Sequence, residues 1–215
     1  MTDATLSTAT ERVASPLYPV AKRVFDFVAA GTAVVLLSPV LAAIAILIKV
    51  DDPGPVLYTG RRVGKGGRAF GMHKFRTMVM NADRIGGSST PDDDPRITKV
   101  GKTLRRYKLD ELPQLFNVVK GEMSLVGPRP QVQWAVDLYT PEQRRVLDVP
   151  PGITDYASLH FPNEGEILKG STDPDRDYME KIHPEKMRLS LEYVRKRSMA
   201  VDVGIILRTL AAIVR

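Results

Sequence analysis

L-R-R-Y-K-L-D-E-L-P-Q-L-F-N-V-V-K-G-E-M-S-L-V-G-P-R-P, residues 104–130, is the stretch around which the chain is organised. Two adjacent carboxylates, Asp110 and Glu111, stand between Arg105, Arg106 and Lys108 on one side and Arg129 on the other. Leu112, Leu115, Phe116 and Val119 recur at helical spacing around Pro113, whose missing N–H costs little at a helix start, and Gly121 offers a stop. The spacing predicts a helix with Asp110 at or beside its N-terminus, where first-turn amides favour negative charge. Asp is among the best N-cap residues and Glu in a first turn is ordinary helix electrostatics, so capping alone accounts for the pair. A carboxylate pair between arginines suits equally well a site that handles phosphates and a divalent metal.

Upstream, 56–62 and 68–77 read as two short strands around Gly64-Lys65-Gly66-Gly67. The glycines lack the G-x-x-x-x-G-K-[ST] spacing of a phosphate loop, so a hairpin turn is expected. Lys74 and Arg76, on the second strand, add cations within reach of a diphosphate. Asp92-Asp93-Asp94 lies in a Gly/Ser/Asp/Pro loop, 86–95, and without regular ligand spacing reads as a solvated turn.

Further upstream, Phe27 to Ile48 is a run of 22 residues without a charge, long enough to cross a bilayer core. A single transmembrane helix is the default reading. Ser38-Pro39 stands in the middle of that run, and an interior proline removes a hydrogen bond and crowds the Val35 carbonyl; the Ser38 hydroxyl is expected to fold back onto Val34. Basic residues flank both ends: Lys22 and Arg23 before, then Lys49, Arg61, Arg62, Lys65 and Arg68. A helix that enters, breaks at Ser38-Pro39 and returns to the same face satisfies both facts, with both ends cytoplasmic. A kinked single-pass helix is the alternative. Asp26 stands one turn after Lys22, where an ion pair can form at the membrane boundary.

Downstream, Thr140-Pro141-Glu142-Gln143 reads as a capping box with proline at the first helical position. His183-Pro184-Glu185 opens another helix, and 201–215 is a last, mostly apolar one expected to pack into the domain. The expected organisation is a flexible N-terminus over 1–20, a re-entrant membrane helix over 21–50 and a membrane-associated catalytic domain over 51–215. The fold class is α+β, mostly helical, with a short hairpin and a set of amphipathic or interfacial helices.

Composition narrows the chemistry. The 215 residues carry 31 Lys and Arg against 25 Asp and Glu, a net charge of +6. That balance suits nucleic acid, an anionic membrane or phosphorylated substrates. Nucleic acid is excluded on two grounds: aromatics are only 7% of the chain, and the cations surround carboxylates, which repel a nucleic-acid backbone. With no cysteine, disulfides and thiolate metal sites are excluded, and the three histidines have no ligand spacing.

The Leu109-Asp110-Glu111-Leu112-Pro113-Gln114 run with Arg105, the Gly121-to-Pro130 run, Lys74-Phe75-Arg76-Thr77-Met78 and Pro151-Gly152-Ile153-Thr154 resemble the signatures of the bacterial sugar transferases. These are monotopic polyprenol-phosphate phosphoglycosyl transferases, and a re-entrant helix broken at Ser-Pro is their hallmark. The resemblance spans Lys22 to Leu210 and departs from the common pattern at Asp155 and over Ser158 to Glu164, so it does not specify the sugar. It implies transfer of a sugar-1-phosphate from a UDP-sugar to polyprenol (undecaprenyl) phosphate with release of UMP, the first membrane step of glycoconjugate assembly. Asp110 is expected to attack the sugar-bearing phosphorus and Glu111 to bind Mg2+. Arg105 and Arg129, with Lys74 and Arg76 as second choices, are expected on phosphate oxygens. The implied location is the cytoplasmic face of the inner membrane among its lipids, and a homodimer through the last helix is compatible with the pattern. The rival is a basic single-pass membrane protein that binds a partner without catalysis.

Overall fold

The computed structural model describes residues 16–85 and 89–214; the expectations for residues 1–15 and for Gly86 to Ser88 lie outside them. Helix α1 (Tyr18–Asp51) is followed by strands β1 (Leu57–Val63) and β2 (Ala69–Phe75), then helices α2 (Lys99–Arg106) and α3 (Gln114–Lys120). Strand β3 (Ser124–Val126) and helix α4 (Gln133–Asp137) precede strand β4 (Gly152–Thr154). Short helices α5 (Tyr156–His160), α6 (Glu164–Ile167) and α7 (Pro174–Asp177) lead to α8 (His183–Lys196) and α9 (Met199–Val214). The fold is mostly helical, as its sequence pattern predicts.

Helix α1 starts at Tyr18, earlier than expected, and passes through Pro39 with its helical assignment intact. Pro39 has no N–H for the Val35 carbonyl, and the Ser38 hydroxyl takes its place, donating to Val35 O at 2.8 Å. The predicted acceptor was Val34; the bond instead goes to the carbonyl that the proline leaves free. By length and composition α1 can cross a membrane, and only 11% of its most apolar 18-residue window is buried.

The buried part of α1 is a continuous stripe. Lys22, Asp26 and Ala30 begin it, Ala33, Val34 and Leu37 pack with Leu115, Val118 and Met123, and Ile44 and Ile48 pack with Phe75 and Leu104. On the opposite face Phe27, Val28, Val35, Leu36 and Leu47 are exposed. Polar bonds fix both ends of the stripe to the same globular body. Near the N-terminus, Arg23 donates to Val118 O and Val119 O at 2.7 and 2.8 Å. At the C-terminus, Asp51 accepts from the Val100 amide at 3.0 Å.

The hairpin forms as predicted, β1 and β2 pairing antiparallel from Leu57 opposite Phe75 to Val63 opposite Ala69. Gly66, at φ 65°, makes the turn that its sequence suggests. Thr140 and Gln143 form the predicted capping box, each side chain accepting from the other's amide, at 3.3 and 2.9 Å respectively. The turn it opens, Gln143–Asp148, is 3-10 rather than α. The parallel pairing of β3 with β4 has no local sequence signal. It depends on contact so close that a Cβ on Gly152 would lie 2.0 Å from the Gly127 nitrogen.

Helix α9 buries Ile205 and Asp202 while Val203, Leu207 and Leu210 stay exposed, so only one face packs as expected. Asp202, fully buried, accepts from Tyr18 Oη and Lys22 Nζ at 2.9 Å each and from Tyr193 Oη at 2.8 Å. Removing one partner of a buried pair leaves an uncompensated charge and costs about 3–5 kcal/mol. Asp202→Ala is therefore expected to lower the unfolding midpoint in detergent by several degrees. Adding Lys22→Met to it should recover part of the loss; a midpoint unchanged by Asp202→Ala would show the tie is not stabilising.

Candidate active site

The carboxylate pair does not cap α3. The cap position is Pro113, in helical conformation and with no side-chain bond, so the capping account of Asp110 does not hold. The chain reaches the pair through Lys108, a non-glycine residue in the left-handed region (φ 56°), after which Leu109 to Glu111 form a 3-10 turn. That turn carries both carboxylates toward β2. Gly121, at φ 87°, ends α3 as predicted.

Lys74 Nζ lies 2.8 Å from Glu111 Oε1 and 3.6 Å from Asp110 Oδ2. Arg129 holds Glu111 from the opposite side, Nη2 bonding to Oε1 and Nη1 lying 3.3 Å from Oε2. Arg129 is placed by its neighbours: the Gly152 amide donates to Pro128 O at 3.0 Å and the Val63 amide to Gln131 O at 2.9 Å. Burial would push the Glu111 carboxyl up, but Arg129 and Lys74 outweigh it and hold it well below the usual carboxylate range. Asp110 goes the other way, raised by burial and by the charge of Glu111 against the pull of Lys74. Arg105 donates from Nε to Thr77 Oγ1 at 2.9 Å, and burial lowers its pKa despite the neighbouring Asp110.

Arg76 has another task. Its guanidinium bonds to the carboxylate and the carbonyl of Asp52 and to Pro55 O, the last at 2.7 Å, closing the loop that leaves α1. Of the six residues predicted to carry chemistry, five meet around the dyad and Arg76 braces the loop beside it. Ser38, the other predicted feature, is engaged with its own helix backbone.

These groups line one cavity of about 1620 Å³. Leu57, Tyr58, Val79, Met80 and Trp134 also line it, each 39–46% exposed, so a cationic floor adjoins an apolar rim. The rim lies where α1 ends, Met80 packing against Gly54 in the loop that follows. Lys186, Glu164 and Arg62 also line the cavity, and the sequence pattern assigns none of them a role there. Lys186, buried in α8, bonds Glu164 at 2.9 and 3.0 Å, and Arg62 meets only the backbone carbonyl of Arg61, at 3.1 Å, among its described partners. Nothing in an amphipathic helix pattern marks Lys186 as inward, and Arg62 looks like any strand cation.

Among the described residues no group of three His, Cys, Asp or Glu side chains is placed to hold a metal. Two adjacent carboxylates nonetheless suit Mg2+, which commonly takes one or two carboxylates and completes its shell with phosphate oxygens and water. The Asp triplet is no metal cluster either: Asp94 pairs with Arg96, and Asp92 and Asp93 accept from Asn163 and the Gly170 amide. Asp155, the departure from the common pattern, caps α5, accepting from the Ser158 amide and hydroxyl at 2.8 Å each.

The chain is 39% identical over 204 residues to UDP-N-acetylgalactosamine-undecaprenyl-phosphate N-acetylgalactosaminephosphotransferase of Aeromonas hydrophila, covering 93% of this chain and 45% of that protein. It is 38% identical over 196 residues to UDP-glucose:undecaprenyl-phosphate glucose-1-phosphate transferase of Escherichia coli, covering 87% and 39%. Exopolysaccharide production protein ExoY of Sinorhizobium fredii is 34% identical over 213 residues, covering 92% and 87%. The chain thus spans less than half the length of the first two relatives and most of the third. Residues 17–215 match the bacterial sugar transferase family as a whole, and the chain belongs to that family.

Proposed function

We propose that this chain transfers a sugar-1-phosphate from a UDP-sugar to polyprenyl phosphate, releasing UMP, at the cytoplasmic face of the inner membrane. The observation that carries this reading is the cavity, which joins a buried carboxylate ringed by cations to an apolar rim at the end of α1. A donor diphosphate needs the cations, and an acceptor with a hydrocarbon tail needs the rim. The names of relatives describe such transfers with two different sugars, glucose and N-acetylgalactosamine.

In this reading Asp110 attacks the sugar-bearing phosphorus to form a phosphosugar-aspartyl intermediate, and the acceptor phosphate then takes the phosphosugar from it. Phosphate oxygens repel a carboxylate, so the approach depends on fixed positive charge. Arg105 stands on the Asp110 side and, among the described residues, is not neutralised by a paired carboxylate, which leaves its fork for a phosphate. Lys74 and Arg129 keep Glu111 ionised and fixed. Glu111 would hold Mg2+ together with phosphate oxygens, and the ion would offset the charge of the diphosphate.

The monotopic reading draws support from the two ends of α1. Arg23 and Lys22 at one end and Asp51 at the other bond to the same polar body, and the stripe between them packs on it. A straight helix of that length spans about 1.5 Å per residue, enough to cross a bilayer, and would carry one set of these bonds to the far side. A helix bent at Ser38-Pro39 that re-enters keeps both sets on one face.

Four outcomes test this reading. Mixing enzyme, UDP-sugar and Mg2+ without acceptor should release UMP in a burst of up to one equivalent, which Asp110→Asn abolishes; multiple turnovers in that variant would exclude the nucleophile. Arg105→Lys should raise the half-saturating UDP-sugar concentration about tenfold, from the loss of a charge-assisted bidentate bond. Arg76→Lys should leave that concentration alone and lower the unfolding midpoint; the reverse pattern would put Arg76 on the substrate. Finally, cysteines introduced at Pro16 and Lys196, both exposed, should resist an impermeant thiol reagent in intact cells. Labelling of Pro16→Cys from outside would mean that α1 spans.

A further inference from the structure

Four buried side-chain polar atoms among the described residues have no hydrogen-bond partner: Asp110 Oδ1, both amide atoms of Gln114, and His183 Nε2. Three of the four therefore fall within one turn of chain at the dyad. Leaving a buried polar atom unpaired costs about 1–3 kcal/mol, so a cluster of them marks a place where something other than stability is at stake.

The placement of Gln114 narrows what that is. Asp110, Gln114 and Asn117 stand at i, i+4 and i+7, along one face of the turn and α3. Asn117 fixes the direction of that face, accepting from the His73 amide at 3.0 Å and donating to Gly71 O at 2.7 Å on β2. Gln114 is wholly buried, one turn behind Asp110, and so is held by its surroundings rather than by solvent. The two carboxylate oxygens of Asp110 differ in the same direction. Oδ2 lies 3.6 Å from Lys74 Nζ, and Lys74 lines the cavity, whereas Oδ1 is buried and unpartnered.

We propose that Gln114 is the positioning residue of the nucleophile, its side-chain amide donating to Asp110 Oδ1 during attack so that Oδ2 faces the substrate phosphorus. This rests on Asp110 being the nucleophile. In the step, a bond forms between Oδ2 and the sugar-bearing phosphorus, and the bond from that phosphorus to the bridging oxygen breaks, its electron pair leaving with the nucleoside monophosphate. Oδ1 becomes the carbonyl oxygen of the acyl phosphate and takes the Gln114 amide as its donor in that state. A carboxylate free to rotate would present either oxygen, at either angle, and misplacement of a reacting atom by about 1 Å can cost about 100-fold in rate.

The experiment compares Gln114→Met with Gln114→Asn. Methionine fills the same space without a donor, and asparagine keeps the amide one methylene short of reach. If Gln114 only fills the core, the Met variant bursts at the wild-type rate and Asn, which leaves a void, is the slower and less stable of the two. Under the proposal both variants burst roughly 10- to 100-fold more slowly, at an unchanged half-saturating UDP-sugar concentration. The unfolding midpoint of Gln114→Met then stays at or above wild type, since an unpaired amide has been replaced by an apolar chain. A Met variant with the wild-type burst rate, or burst rates that follow the midpoints, overturns the proposal. Absence of a burst in the wild-type enzyme instead removes the nucleophile itself, and the role of Gln114 with it.

Discussion

Glu111 is one carboxylate held by two cations, Lys74 and Arg129, and the site depends on that grip. Lys74 comes from β2, Glu111 from the turn before α3, and Arg129 from the loop after β3, so a single carboxylate pins three segments distant in sequence. Taking charges out of water costs several kcal/mol per ion, and their attraction offsets this only when geometry and hydrogen bonding are good. Here the carboxylate is met on both oxygens by Arg129 and on one by Lys74. Asp110, 3.6 Å from Lys74, brings the cluster to balance, and Arg105 beside Asp110 makes it net positive.

The scaffold around that cluster relies on close backbone approach more than on side-chain bulk. A Cβ on Gly101 would lie 2.1 Å from the Thr77 carbonyl oxygen, and that contact keeps α2 against the end of β2 and Arg105 beside Thr77. The Gly127–Gly152 approach does the same for β3 and β4, on whose pairing the position of Arg129 depends. Both are places where glycine is needed because another backbone comes near, not because φ is positive.

Local signals were the legible part of this fold. The hairpin, the stop at Gly121, the capping box at Thr140 and the apolar length of α1 each follow from a few neighbouring residues, and each is present. The nearness of Asp110 and Glu111 to Lys74, Arg105 and Arg129 is present too, among residues that the family resemblance singled out. What stayed hidden depends on partners far along the chain. Arg76 lines the cavity with the other cations, and only the loop before the hairpin shows that it also holds Asp52 and Pro55. Asp155 is the exception, its cap on the Ser158 amide lying only three residues away. Lys186 and Arg62 carry no local mark at all, since inward and outward cations look alike on a short strand or an amphipathic helix.

The tie between Lys22 and Asp202 spans 180 residues, which gives the fold an order in time. A chain made at about 5–20 residues per second exposes Lys22 roughly 10–40 s before its carboxylate exists. Early in that interval, before Met72 and Phe75 are made, the stripe of the first apolar helix has nothing in the chain to pack on. The tie to Asp202 is therefore the last of the bonds on this helix that the growing chain can close.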